Sequence, residues 1–269
     1  TSYALFLTIQ STIFVSSDPL RRAEWMMPIY LFLTGLVLAY MIILKGLTHF
    51  HIHYSFIMGL VISFTTSGII SLIGIYILYR LPEKILLKRR DRFNQVEKYF
   101  GVLMAMTACI MVFAHGSNDV ALATSPLNQI FSYTKMDKFI FNPQQLTSIT
   151  LLFGCVGVVA GFLIYGRKVI ETVGSGITAL TPSRAFAATL SAATTVIIAN
   201  TLGLPVSATQ TLVGAVLGVG LARGIGALNL VVIRNIFMSW IVTLPAASLM
   251  SLCIFKLLMY TLPHFQHLF

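Results

Sequence analysis

The sequence predicts an all-α polytopic membrane protein in which some helices are discontinuous. Three observations lead there. The 269 residues are 57% hydrophobic and only 10% charged, with mean hydropathy +0.87, whereas a soluble domain carries roughly a quarter charged residues. Apolar runs of about 20 residues, the length that crosses a bilayer, recur along the chain. Two shorter apolar pieces open on Gly, Ser, Asn, Thr or Pro, residues that stop one helix and cap the next.

Taken in order, residues 1–15 are apolar but lack a basic leader and a cleavage site, so they read as the tail of an earlier membrane helix and not as a signal peptide. A chain starting this way reads as a fragment. Full spans are expected at 28–47, 58–79, 99–114, 148–166, 184–202 and 231–258. The last should tilt or break at Pro245. The shorter pieces are 118–131 and 206–222. Residues 1–98 are thus peripheral and connecting transmembrane helices with a basic loop. Residues 99–269 form a transport unit with broken-helix motifs at 115–131 and 203–223.

The net charge of +10 sits at the ends of apolar runs. The positive-inside rule accounts for that distribution, and no soluble domain is present to carry a nucleic-acid interface. Between Arg80 and Lys98 seven Lys/Arg face three Asp/Glu, so this loop is expected in the cytoplasm, with some affinity for anionic lipid. Arg167, Lys168 and Arg184 place the 167–183 connection on the same side, and Arg21 and Arg22 agree. Cys109, Cys155 and Cys253 lie in apolar segments without a CxxC pair and read as small buried hydrophobes. His49, His51 and His53 alternate in a short loop with no carboxylate or cysteine nearby, so an interfacial loop is expected there and no metal.

Asp119 carries the most information. Of eight acidic residues it is the one deep in an apolar run, and a charge at membrane depth normally faces a cavity, an ion or a partner. It follows His115, Gly116, Ser117 and Asn118. A helix ending near Gly116 would let the next one start inside the membrane with free N–H groups, a ready anion site. A carboxylate beside such a terminus calls for a cation, held by Asp119 and the Asn118 side-chain carbonyl. His115 is read either as a proton relay or as a donor to a freed backbone carbonyl. A second opening runs from Gly203 through Pro205 to Ser207, Thr209, Gln210 and Thr211. Pro205 stops the preceding helix, Ser207 caps the next, and the hydroxyls and amide offer ligands without charge. Broken helices that meet near the midplane are a device of secondary transporters.

Thr181-Pro182-Ser183 starts a helix, where Arg184 either snorkels to the cytoplasmic surface or helps draw an anion there. Gly154, Gly157 and Gly161, and again Gly214, Gly218 and Gly220, have the spacing of close-packed helix faces.

With these residues in view, the chain resembles the inorganic phosphate transporters of the low-affinity permease type, which include sodium–phosphate symporters. The resemblance rests on Gly116-Ser-Asn-Asp-Val-Ala-Leu-Ala123 and on Gly203 to Ala215, followed by Gly218 to Gly224. Thr181 to Ala187 and Ser239-Trp240 also fit. It covers about residues 20–260 and corresponds to the family's second half plus its central connection.

The resemblance implies an inverted-repeat secondary transporter of the bilayer, with 99–269 as the second repeat. It implies phosphate uptake coupled to Na⁺ or H⁺, with no other cofactor. Asn118 and Asp119 would serve the coupling cation, and Ser207, Thr209, Gln210 and Thr211 the phosphate or the cation from the facing element, with Ser117 counted among the phosphate ligands. The first repeat, absent from these residues, would be a partner, and a homodimer is left open. A bacterial inner membrane is the expected location. Ser117, Leu122 and Ala208 depart from the family pattern, which usually has Ala, Asn and Ser or Thr there.

The alternative is an anion channel or a permease for a related oxyanion such as sulfate. An intramembrane enzyme using Asp119 and His115 lacks a second carboxylate, a nucleophile–base pair and a metal set, so no enzyme is expected.

Overall fold

The computed structural model describes residues 1–43, 56–80, 89–133, 143–204 and 206–261. All regular structure among them is helical: α1 Ser2–Ile9, α2 Pro19–Met41, α3 Phe56–Arg80, α4 Arg89–Tyr133, α5 Pro143–Glu171, α6 Pro182–Thr201, α7 Ala208–Ala222 and α8 Leu230–Thr261. Single π-helical turns extend α1 over Gln10–Phe14 and α5 over Thr172–Gly176. By length and composition α2, α3, α4, α5 and α8 are able to cross a membrane. The span expected at 184–202 is α6, matched to within two residues.

The chain packs as two units interleaved along the sequence. One comprises Thr1–Asp119 with Val173–Leu228, the other Val120–Thr172 with Asn229–Phe269. The sequence-based division at 98/99 does not coincide with the bounds of these packed units.

In the first unit α2 packs on α3, while α1, α6 and α7 pack on one another. Small side chains allow the close approach. On α6, Ala187, Ala188, Ser191, Ala192 and Ala193 are all buried, so the helix backbone can come near its neighbours. An aromatic triad then ties three helices together. Tyr30 of α2, Phe100 of α4 and Phe186 of α6 have ring centroids 5.6–5.8 Å apart, and Phe100 and Phe186 are fully buried. Thr107 and Thr189 share a 2.6 Å hydrogen bond between α4 and α6. Ser71 donates to the Pro28 carbonyl and Ser67 to that of Phe32, one helical turn apart on α3, which fixes α3 against α2. Gly74 gives Leu31 its place, since a Cβ there would collide with the leucine methyl.

In the second unit Gly154 of α5 lies where a Cβ would strike Thr124, and Thr150 donates to Asn128 Oδ1 at 2.7 Å. The glycine faces are thus half as expected. Gly154, Gly218 and Gly220 meet neighbours, whereas Gly157, Gly161 and Gly214 meet nothing described within 4 Å.

Three expectations are corrected. The helix from 99 does not end near Gly116: α4 is continuous to Tyr133 and passes Pro126 as well. Ser117 bonds back to the Ala114 carbonyl at 3.2 Å, and Asn118 and His115 find partners on another element, so nothing there forces the helix open. Of the two readings at Pro245, tilt and break, the break does not form: α8 is continuous there, as membrane helices often are through proline. The cysteines are exposed and not buried. They lie on apolar helix surfaces, which need a bilayer or another protein surface as cover.

Candidate functional site

The second opening forms between α6 and α7, with Pro205, read as the helix stop, outside the described residues. Helix α6 ends at Thr201 with Leu202 as its cap, and Gly203 turns the chain at φ +71, a left-handed conformation that glycine adopts without penalty. Ser207 then caps α7, its Oγ accepting from the Gln210 N–H at 3.3 Å. The Ser207 carbonyl takes both the Thr211 N–H at 3.0 Å and the Thr211 hydroxyl at 2.9 Å. This leaves the N–H groups of Ala208 and Thr209 without an intrahelical acceptor.

Helix α4 meets this terminus through two side chains, His115 and Asn118, with Asp119 beside them. His115 Nε2 lies 3.2 Å from Thr209 Oγ1 and 3.5 Å from Asp119 Oδ2. Asn118 Nδ2 donates to the Val206 carbonyl at 3.1 Å and approaches Asp119 Oδ1 at 3.4 Å. Both neighbours of that nitrogen are acceptors, which fixes the amide orientation and turns Oδ1 the other way. Asn118 is buried, at 8% exposure, while the Asp119 side chain keeps 43%. The contacts to Asp119 exceed the usual 2.7–3.2 Å of a hydrogen bond. Its oxygens are therefore only loosely engaged, with lone pairs available to a further ligand.

Protonation of the hydroxyls sorts their roles. Thr211 spends its proton on its own helix and can only accept from a ligand, which suits a cation. Ser207 accepts from Gln210, so its proton is free to point outward, and Thr209 keeps its own proton for a ligand when His115 Nε2 carries the hydrogen and donates to it. Together with the Gln210 amide and two free N–H groups, these are donors for an anion.

Asn118, Asp119, Ser207, Thr209, Gln210 and Thr211 are thus gathered where α4 meets the start of α7. Ser117 is not. In a continuous helix it lies roughly 200° round from His115, exposed, with its hydroxyl on Ala114. His115 holds a side-chain hydroxyl and not a freed carbonyl. One participant of this site, and one contact at the far end of α6, had no signal in the pattern. The Val206 carbonyl carries no side-chain cue. Glu97, counted among the loop acids, instead accepts from the Ser183 N–H at 2.9 Å and the Ser183 hydroxyl at 2.8 Å, tying α4 to the start of α6. The histidines 49, 51 and 53 lie outside the described residues. Among the described residues no cluster of His, Cys, Asp or Glu could hold a metal ion.

Comparison with known proteins gives the family. A Haemophilus influenzae protein named "Putative phosphate permease" is 46% identical over 260 residues, covering 96% of this chain and 61% of the relative. A Chlamydia muridarum protein of the same name is 37% identical over 282 residues, covering 96% and 63%. The chain thus spans about three-fifths of the length of these relatives. A solved structure described as the sodium-dependent phosphate transporter superposes with TM-score 0.74 at 31% identity, covering 97% of this chain and 63% of that one. The phosphate transporter family, one of transporters and not of enzymes, matches residues 1–251, and the chain belongs to it.

Proposed function

We propose that this chain forms one wall of a secondary transporter that moves inorganic phosphate together with Na⁺ or H⁺ across a bacterial inner membrane. One observation carries the reading: a loosely engaged carboxylate, Asp119, stands beside the donor-rich N-terminus of α7, joined to it through His115 and Asn118. A carboxylate there would repel phosphate unless a cation came with it, which is what coupling requires. Asp119, the Asn118 Oδ1 and the Thr211 hydroxyl are the cation's oxygen ligands. Ser207, Thr209, Gln210 and the first N–H groups of α7 receive the phosphate. An inverted first repeat supplies the opposite wall. Sodium is favoured by the likeness to a sodium-dependent transporter and by an all-oxygen ligand set.

The test is labelled-phosphate uptake into proteoliposomes holding the full-length protein, with a Na⁺ gradient or a pH gradient imposed separately. Uptake driven by one gradient supports the symporter and names its ion. Uptake independent of both gradients refutes coupling.

A further inference from the structure

The other end of the α6–α7 hairpin carries a second cluster of charge. Residues 182–201 run one way and 208–222 return, which brings Arg184, in the first turn of α6, to the same end as Arg223, the C-terminal cap of α7. Both guanidinium groups grip one atom. Arg184 Nη1 donates to the Ala179 carbonyl at 3.1 Å, and Arg223 Nη1 donates to the same oxygen at 3.2 Å and to Thr178 Oγ1 at 3.1 Å. Two positive charges therefore stand no farther apart than two hydrogen-bond lengths, and they repel one another. Neither makes an ion pair among the described residues. The carboxylate that Arg184 senses is Glu97, and both Glu97 oxygens are taken by Ser183.

A C-terminal cation next to the helix dipole explains Arg223 alone, and snorkelling explains Arg184 alone. Neither explains why the two converge on one carbonyl. Each guanidinium has five N–H donors in a planar fork, and most of these remain without a protein acceptor among the described residues. Ala179 is exposed, so the pair is open to an incoming ligand. A tetrahedral oxyanion has enough acceptor oxygens to bridge both forks and relieve their repulsion.

We propose that Arg184 and Arg223 form a second oxyanion site, which takes a phosphate group from either free phosphate or an anionic lipid headgroup. It lies about 24 Å along α7 from Ser207, at 1.5 Å per residue, and so is distinct from the site at Asp119. If the 167–183 connection is cytoplasmic, phosphate leaving the Asp119 site would meet this pair on the way out.

The test uses the full-length protein in nanodiscs of phosphatidylcholine, with or without phosphatidylglycerol. Inorganic phosphate binding is measured at equilibrium, and retained phosphatidylglycerol by native mass spectrometry. Loss of one charge-assisted partner should weaken occupancy about tenfold in R184Q and in R223Q. A fall in phosphate binding in both lipids identifies free phosphate as the ligand, and a fall in retained phosphatidylglycerol alone identifies the headgroup. Unchanged binding of both overturns the proposal. A second measurement uses the unaltered protein, so that misfolding of a variant cannot confuse the result. Phenylglyoxal should modify Arg184 and Arg223 in plain phosphatidylcholine, and phosphate or phosphatidylglycerol should protect them. Protection by neither overturns the proposal, whatever the uptake assay shows about transport.

Discussion

Asp119 and Thr211 share a chemistry that Ser207 and Thr209 lack: toward a ligand they only accept. The division predicts separable phenotypes. Asp119→Asn keeps volume and removes the charge, so uptake should fall to background while the protein still elutes as a folded monodisperse species. Gradient-driven uptake at the wild-type rate would remove Asp119 from the coupling site. Ser207→Ala combined with Thr209→Val deletes two outward donors, and hydrogen bonds to a charged group are worth about 1.5–3 kcal/mol each. The phosphate KM should rise at least about tenfold with the cation dependence retained. Thr211→Val should do the reverse, weakening the cation's apparent affinity and sparing phosphate; a shift only in phosphate KM would mean that the hydroxyl serves the anion. The residue types at this site were legible from the sequence, because a carboxylate, an amide and a run of hydroxyls are rare in apolar segments. Their assignment was not, since which partner a hydroxyl's proton goes to depends on backbone atoms such as the Ser207 carbonyl. Ser117 shows the same limit: its place in the motif was clear, but its direction depended on whether the helix broke.

At the scale of elements, one expected break formed and the other did not. The end of α6 and the start of α7 have the chemistry that a break requires, a glycine at φ +71 and a capping serine. The Gly116 to Asp119 stretch has polar residues but no donor that must leave the helix, and α4 continues. Polar residues in an apolar run therefore marked the candidate site in both cases, while only the turn chemistry marked a helix end. Asn118, donating to the Val206 carbonyl, then does from across the gap what a second break would have done locally, holding the turn against α4. Gly203→Ala forces a left-handed conformation on a residue with a Cβ, at a cost of about 1–2 kcal/mol. It should lower the thermal unfolding midpoint and raise the phosphate KM, because the capping geometry of α7 shifts with the turn. A variant with an unchanged midpoint and KM would show that the turn relaxes without moving α7. Gly74→Ala should leave KM alone, since it meets only the terminal methyl of Leu31 in a helix pair without a site residue; a changed KM would show that this pair communicates with the site.

For the molecule as a whole, exposure and charge have to be satisfied by the surroundings. Helix α8 has none of its most apolar window buried, and α5 has 6% of its own. These surfaces, with Cys155 and Cys253 on them, would be unstable in water and require lipid or another protein face. The all-α membrane class was legible because composition alone sets it. The interleaved division into packed units was not, because it depends on which helices find partners and not on where apolar runs begin. Orientation is a prediction from the basic residues: Arg167, Lys168 and Arg184 flank the connection after α5, and the positive-inside rule predicts it in the cytoplasm. Gly174 is exposed within that connection, and a side chain there would meet nothing within 4 Å, so Gly174→Cys is a suitable reporter once Cys109, Cys155 and Cys253 have been replaced. A membrane-impermeant maleimide should label it only after the cells are permeabilised. Labelling in intact cells would reverse the topology and put the Arg184–Arg223 pair outside. That pair would then gather phosphate at the entrance of the transport path and not receive it at the exit, so the sidedness of this one cysteine fixes the direction in which the second oxyanion site works.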